Sequence, residues 1–289
     1  MSILQETYTL NDGNAIPKLG LGTWFIGDRN AAGAVRSAVG LGYRLFDTAQ
    51  AYGNEAGVGE GVRTCGVPRE ELFVTSKIAA EAKSYESASR AVDEMLATSG
   101  LDYLDLAIIH SPQPWRDWRK DDRRFFAENV EAYRALEDAQ KAGKLRSIGV
   151  SNFLVDDLQN ILDNCTVIPA VNQVLCHVSS TPAALIEFCQ RNGVLVEAYA
   201  PIAHGKMLKN RRLVSIAGKY GVTPSQLCIR YCIQLGCVAI PKTENPAHMA
   251  ENAAVDFEIS AEDMAELAAF EPIKSYGILM NRMPVFSRK

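Results

Sequence analysis

Leu104-Asp105-Leu106-Ala107-Ile108-Ile109-His110 is a mostly apolar run that stops on an isolated ionisable residue, and six other runs in the chain likewise stop at a polar or ionisable one. Tyr43 to Phe46 ends before Asp47, Leu72 to Thr75 before Lys77, and Ser147 to Val150 before Asn152. Ala170 to Val171 ends before Gln173, Leu195 to Ala198 before Tyr199, and Val238 to Ile240 before Lys242, while Leu19 to Trp24 supplies an eighth run ahead of them all. Their length and composition are those of strands. Between them, Ala31 to Leu41, Glu55 to Arg63, Ser87 to Thr98, Phe126 to Lys141, Val155 to Leu162 and Pro182 to Arg191 carry apolar residues at helical spacing. Strands too uniformly apolar to have a wet face, alternating with helices, require a parallel sheet covered on both sides. Eight such units can close on themselves, so the predicted class is α/β, a (β/α)8 TIM barrel. Chemistry in that fold gathers at the C-terminal strand ends, where these polar residues fall.

The 289 residues, 47% hydrophobic and 22% charged, show no Gly/Ser/Pro-rich linker and read as one domain over 1–289. A formal charge of -4, a pI near 5.7 and the lack of a Lys/Arg block argue against nucleic-acid and anionic-membrane partners. No stretch nears the roughly 18 apolar residues of a membrane span, and Met1 to Leu10 lacks signal-peptide character. A cytoplasmic monomer is expected. Seven cysteines without a CxxC pair suit a reducing compartment. Cys228 and Cys232 lie one turn apart on a predicted helix, Ser225 to Leu235, near Cys237, but no second ligand pair has zinc spacing, and no metal is expected.

Asn11-Asp12-Gly13 between strand-like flanks predicts an N-terminal hairpin over Thr7 to Ile16, covering the barrel bottom. The segment Ser111 to Arg124 is a long loop holding Trp115, Trp118 and four arginines. After a last barrel helix near Pro246 to Ala254, Ala261 to Phe270 reads as an extra C-terminal helix, and the tail Pro272 to Lys289 could lie over the top rim.

At that rim Tyr52 follows Asp47 by five residues, and its phenol is a poor acid near neutrality unless a cation favours the phenolate. Lys77 is the candidate cation, Asp47 its counter-charge, and His110 a neutral donor able to orient a carbonyl oxygen. Singly, each fits an ordinary part: helix cap, snorkelling amine, amphipathic wall, core histidine. Together they lack only a hydride source, which implies a nicotinamide.

The stretches Gly42-Tyr43-Arg44-Leu45-Phe46-Asp47-Thr48-Ala49 through Tyr52-Gly53-Asn54-Glu55, Ile148-Gly149-Val150-Ser151-Asn152-Phe153 and Ile240-Pro241-Lys242-Thr243 resemble the signatures of aldo-keto reductases, most closely bacterial members of the 2,5-diketogluconate reductase type. The resemblance implies that Asp47, Tyr52, Lys77 and His110 form a catalytic tetrad and that NADPH delivers hydride while Tyr52 protonates the oxygen. It further implies Thr23, Trp24, Ser151, Asn152 and Gln173 at the nicotinamide end and Tyr199 stacked on its ring. Ala200, Pro201 and Ile202 would run under the pyrophosphate, with Lys242, Thr243 and His248 at the 2'-phosphate and Glu251 and Asn252 near the adenine. Trp24, Phe25 and Ser111 would face substrate. Gly57-Val58-Gly59-Glu60-Gly61 is not a Rossmann loop, since it lacks the last glycine and lies in a helical stretch.

Two positions depart from the family pattern. His248 stands where an arginine is typical, with Glu244 close in sequence, so NADPH preference should weaken and NADH use become feasible. Ser111 stands where many relatives carry tryptophan, predicting a wider, more polar mouth, and the loop arginines favour keto acids, oxo-sugars or 2-oxoaldehydes as small-molecule carbonyl substrates. The rival readings are a metal-dependent hydrolase, which needs more clustered ligands than Asp47 and His110, and a cofactor-sensing binding subunit with little turnover.

Overall fold

The computed structural model describes residues 2–273, 275–278, 280–283 and 285–286, so both ends of the 1–289 span and the tail's last residues, Ser287 to Lys289, lie outside the described residues. The hairpin pairs β1 (Thr7–Thr9) antiparallel with β2 (Ala15–Pro17), Thr7 opposite Pro17. Its turn is held by Asp12, whose Oδ1 accepts from the Asn14 N–H at 3.0 Å.

Eight parallel strands follow in chain order: β3 (Leu21–Gly22), β4 (Leu45–Asp47), β5 (Phe73–Ile78), β6 (Leu104–Ile109), β7 (Leu145–Ser151), β8 (Val171–Leu175), β9 (Leu195–Tyr199) and β10 (Val238–Ile240). Bridges from Leu19 to Ala239 and from Gly22 to Lys242 join the first strand to the last and close the barrel. The helices are α1 (Asp28–Gly40), α2 (Glu55–Thr64), α3 (Tyr85–Ser99), α4 (Phe126–Lys141), α5 (Val155–Asn164), α6 (Ala183–Arg191), α7 (Arg211–Lys219), α8 (Pro224–Gln234), α9 (Pro246–Ala253) and the extra α10 (Ala261–Ala268). None of the described helices is long and apolar enough to cross a membrane.

The expected barrel, hairpin and extra helix are all present, with two informative differences. Strands β5 and β8 continue past Thr75 and Val171, so Lys77 and Gln173 lie inside strands rather than beyond them. Apolar composition ended those runs early because the upper barrel interior is polar. Helix α7 has no counterpart in the sequence reading, since only Leu213, Ile216 and Ala217 are buried along it. Its start was nonetheless marked by Asn210, whose side chain accepts from the Arg212 and Leu213 N–H groups.

The barrel interior is divided by height. Its lower part is apolar, with Leu45, Phe73, Leu106, Ile108, Val171 and Val238 packed against Leu10 and Ile16 of the hairpin. The Asn11 side-chain amide donates to the Pro169 and Gly193 carbonyls at 3.0 and 3.1 Å, fastening the plug to the chain ahead of β8 and β9. A larger cluster fills the space between strands and helices. The glycine triplet of α2 belongs there: a Cβ on Gly59 would strike the Ser99 carbonyl, and one on Gly61 would strike Val35, so these glycines let α1, α2 and α3 approach closely.

Ile16 is fully buried in the plug. Ile16→Ala should lower the unfolding free energy in urea by about 2–5 kcal/mol; a loss well under 1 kcal/mol would show that the hairpin is not part of the core.

Candidate active site

Asp47 ends β4 and Lys77 points inward from β5, and the two meet in the upper barrel with exposures of 2% and 0%. The Lys77 ammonium donates to both Asp47 carboxylate oxygens at 2.6 Å and to the Thr48 carbonyl at 2.9 Å. Those three contacts use its three N–H groups. Tyr52 sits on the short helical turn Gln50–Tyr52 after β4, its ring centroid 4.8 Å from the Lys77 ammonium. That turn is moored by the fully buried Asn54, which donates to the Thr23 and Ile26 carbonyls at 2.9 Å and accepts from the Thr48 hydroxyl at 2.6 Å.

His110 follows β6, with its ring edge-on to Tyr52 at 5.7 Å and to Trp115 at 5.2 Å. Burial first, then the Lys77 charge, holds its imidazole well below the ordinary histidine range, so it is neutral at pH 7. Its Nδ1 is buried with no partner among the described residues, leaving Nε2 to the cavity. Tyr52 departs from expectation. Burial, then the charges of Asp47 and Glu197, push its phenol well above the usual tyrosine value instead of Lys77 lowering it. The ammonium is committed to Asp47 and Thr48, and it does not offset the burial of the phenol.

On the next strands the polar residues are wired to one another. Asn152, at φ 62 just after β7, donates to the His110 carbonyl and to Ser151 Oγ at 3.0 Å and accepts from the Tyr199 hydroxyl at 2.7 Å. Asparagine tolerates that left-handed backbone better than most residues. Ser151 Oγ donates to the Gln173 carbonyl at 2.8 Å. Gln173 Nε2 donates to Asp47 at 2.8 Å and to Glu197 at 2.7 Å, so only its Oε1 remains for a ligand. Glu197, inside β9, is completely buried and was not singled out from the sequence. Its one signal there was a carboxylate in the middle of an apolar run.

These groups open into a cavity of about 940 Å³ at the C-terminal rim. Asp47, Tyr52, His110 and Trp24 line one part of it, and Ser151, Asn152, Gln173, Tyr199 and Ala200 to Ile202 continue the wall to Lys242, Thr243, His248, Glu251 and Asn252. Ala200, Ala203 and His204 all have positive φ, so the loop after β9 is held in a backbone that side chains rarely adopt. At the far end Lys242 pairs with Glu244 at 3.3 Å, and Glu244 also accepts from Asn30 at 3.1 Å.

Some assignments move. Thr23 is fully buried and spends its hydroxyl on the Asp47 carbonyl at 2.8 Å, so it supports the site from behind. Ser111 is likewise buried, donating to the Gln113 carbonyl at 2.7 Å. The wall beside His110 is instead Trp115, and the tail brings Met283, Val285 and Phe286 to the opening, Phe286 stacked on Trp24 at 6.0 Å. The mouth is therefore aromatic rather than polar. The loop arginines do not line it: Arg116 and Arg123 pair with Asp117 and Glu128, and Arg119 lies over Trp118. All seven cysteines are free thiols, and no group of three or more candidate ligands that could hold a metal occurs among the described residues.

With this geometry in view, the comparisons with known proteins agree. Residues 18–272 match the aldo/keto reductase family model. A glyoxal reductase of Bacillus subtilis is 40% identical over 276 residues, covering 95% of this chain and 96% of that protein, and an aldo-keto reductase of Mycolicibacterium smegmatis is 37% identical over 93% and 94%. Among solved structures, an aldo/keto reductase from Brucella melitensis superposes with a TM-score of 0.83 at 36% identity, covering 91% of this chain and 98% of that one. An aldo-keto reductase complexed with NADPH gives 0.82 at 32%, covering 92% and 88%. The chain belongs to the aldo/keto reductase family. It is an NAD(P)H-dependent oxidoreductase.

The tail is anchored by His177, whose Nε2 meets the Tyr276 hydroxyl at 2.8 Å while Nδ1 accepts from the Ser179 N–H at 3.2 Å. Burial, then His204, pushes this imidazole down to about 4. Below the unfolded value near 6.5 the unfolded chain binds a proton that the folded chain refuses, so stability falls with pH until about 4. Urea unfolding should show a loss on the order of 3 kcal/mol from His177 across that window. His177→Gln should flatten the slope, and an unchanged slope would remove His177 as its source.

Proposed function

We propose that this chain, acting as a cytoplasmic monomer, reduces small aldehydes and ketones to alcohols with NADPH, Tyr52 serving as general acid. The observation that carries the reading is the convergence of a protonated phenol, a neutral imidazole and a buried ammonium-carboxylate pair on one part of the rim cavity. The donor set along that cavity suits a dinucleotide, with amide and hydroxyl groups and the Tyr199 ring at one end and Lys242, Thr243 and His248 at the other. Ser151, Asn152 and the Gln173 Oε1 would hold the carboxamide, Ala200 to Ile202 the pyrophosphate, and Glu251 and Asn252 the adenine end. When bound, the nicotinamide supplies the hydride.

His110 Nε2–H donates to the carbonyl oxygen and holds it toward Tyr52. As the oxygen gains alkoxide character it becomes basic enough to take the phenol proton despite the high resting value, and the phenolate left behind has the Lys77 ammonium as its near cation. The raised phenol stays protonated between turnovers and is thereby always a donor. The aromatic mouth, with no arginine among the described lining residues, favours compact uncharged carbonyls over keto acids. Similarity to a glyoxal reductase supports 2-oxoaldehydes among them.

At the 2'-phosphate end, Glu244 already occupies Lys242 and His248 lacks the guanidinium fork, which supports a modest NADPH preference with some NADH use. His248→Arg should raise the NADPH over NADH ratio of kcat/KM by about tenfold, the worth of one charge-assisted contact; an unchanged ratio would discard the explanation. Tyr52→Phe should lower kcat about 10²- to 10⁴-fold with NADPH binding by fluorescence nearly unaltered, and Lys77→Met should behave similarly. Turnover retained in Tyr52→Phe would remove the acid.

A further inference from the structure

The upper barrel holds two carboxylates and one ammonium, and the ammonium has nothing left to give. Lys77 spends its donors on the two Asp47 oxygens and the Thr48 carbonyl. Among the described residues Glu197 therefore has no cation in hydrogen-bonding contact. Its Oε2 accepts from Gln173 Nε2 at 2.7 Å, its Oε1 is buried without a partner among the described residues, and the residue is 0% exposed. A lone carboxylate in such a place takes up a proton rather than remain charged.

Its surroundings contain little else that titrates. It shares the upper barrel with Asp47 on β4, Lys77 on β5 and His110 at the end of β6, the Tyr52 ring lying 4.8 Å from the Lys77 ammonium and edge-on to His110; its bonded neighbour on β8 is the neutral Gln173, and β10 carries Val238 and Ile240. Glu55 on α2, bonded to the Ser76 hydroxyl, lies on the outer side of β5. The same Gln173 amide that touches Glu197 also touches Asp47, so the two acids share one donor.

We propose that Glu197 is a positioning residue whose proton sets the acid strength of Tyr52: neutral Glu197 leaves the phenol able to protonate substrate, and ionised Glu197 shuts reduction down. The inference rests on Tyr52 as the general acid. Burial and then the Asp47 charge push the Glu197 carboxyl up to about 8, while its own negative charge adds to those that raise Tyr52. Above that pH the added charge makes phenolate formation harder, so reduction falls on the alkaline side.

The test combines the pH dependence of kcat for aldehyde reduction with infrared difference titration of the cofactor-free chain, in wild type and Glu197→Gln. Wild type should lose about tenfold or more of its kcat through a step near pH 8. A protonated-carboxyl C=O band should disappear over the same range. Glu197→Gln, which keeps a neutral side chain, should retain the low-pH rate, lack the alkaline step and lack that band. A step that survives in Glu197→Gln belongs to another group, with Glu55, pushed up to about 7, the first suspect, and overturns the proposal. If Glu197→Gln does not fold, the same titration in Glu55→Gln decides, and absence there of a carboxyl band at pH 6 that is lost near pH 8 overturns the proposal equally. A wild-type chain that reduces no carbonyl sinks the functional reading and this one with it, whereas an active chain whose step is indifferent to Glu197 sinks only this one.

Discussion

Placing an ammonium where no water reaches costs several kcal/mol unless its donors are all satisfied, and the Lys77–Asp47 pair meets that condition only through the closed barrel. Strands β4 and β5 are neighbours, with Asp47 in register with Thr75, so Lys77 two residues further on reaches the carboxylate from above. Thr48, the next residue after the strand, supplies the third acceptor. Much else follows from this arrangement. The ammonium has no N–H to spare for the phenol, Tyr52 stays protonated, His110 stays neutral beside a positive charge, and Glu197 is left without a counter-ion.

The division of the barrel into an apolar base and a polar upper layer lets such a cluster exist without undermining the fold. Leu10 and Ile16 pack into the apolar base, while the polar layer opens into the rim cavity. Around that opening the backbone takes positive φ at Asn152, Ala200, Ala203 and His204. Strain of this kind persists where neighbouring structure over-determines it. Asn152 illustrates the point, since its side chain is held at once by the His110 carbonyl, Ser151 and Tyr199.

The cavity wall is drawn from segments far apart in the chain. The loop after β6 contributes Trp115, the loop after β3 Trp24 and Phe25, and the tail Phe286, and these aromatic surfaces shape the entrance more than any one strand end. At the other extreme of the cavity, Glu244 after β10 pairs with Lys242 and accepts from the Asn30 side chain of α1. The two ends of the cavity are thus lined by different loops on one scaffold.

The sequence by itself determined the barrel and the polar strand ends that meet at its rim. Apolar runs of strand length, helical spacing between them and a polar stop on seven of eight runs are local patterns, readable because each strand must be buried on both faces. What only the tertiary structure decided is which way side chains turn and which distant groups meet. Thr23 and Ser111 lie at the expected strand ends yet face away, and Trp115 and Phe286 reach the cavity from loops without periodicity. Glu197 looked like an interruption of an apolar run until Gln173 and Asp47, the latter 150 positions earlier, were brought beside it. Such relations depend on barrel closure, and pairings across a closed sheet leave no trace in the spacing of neighbouring residues.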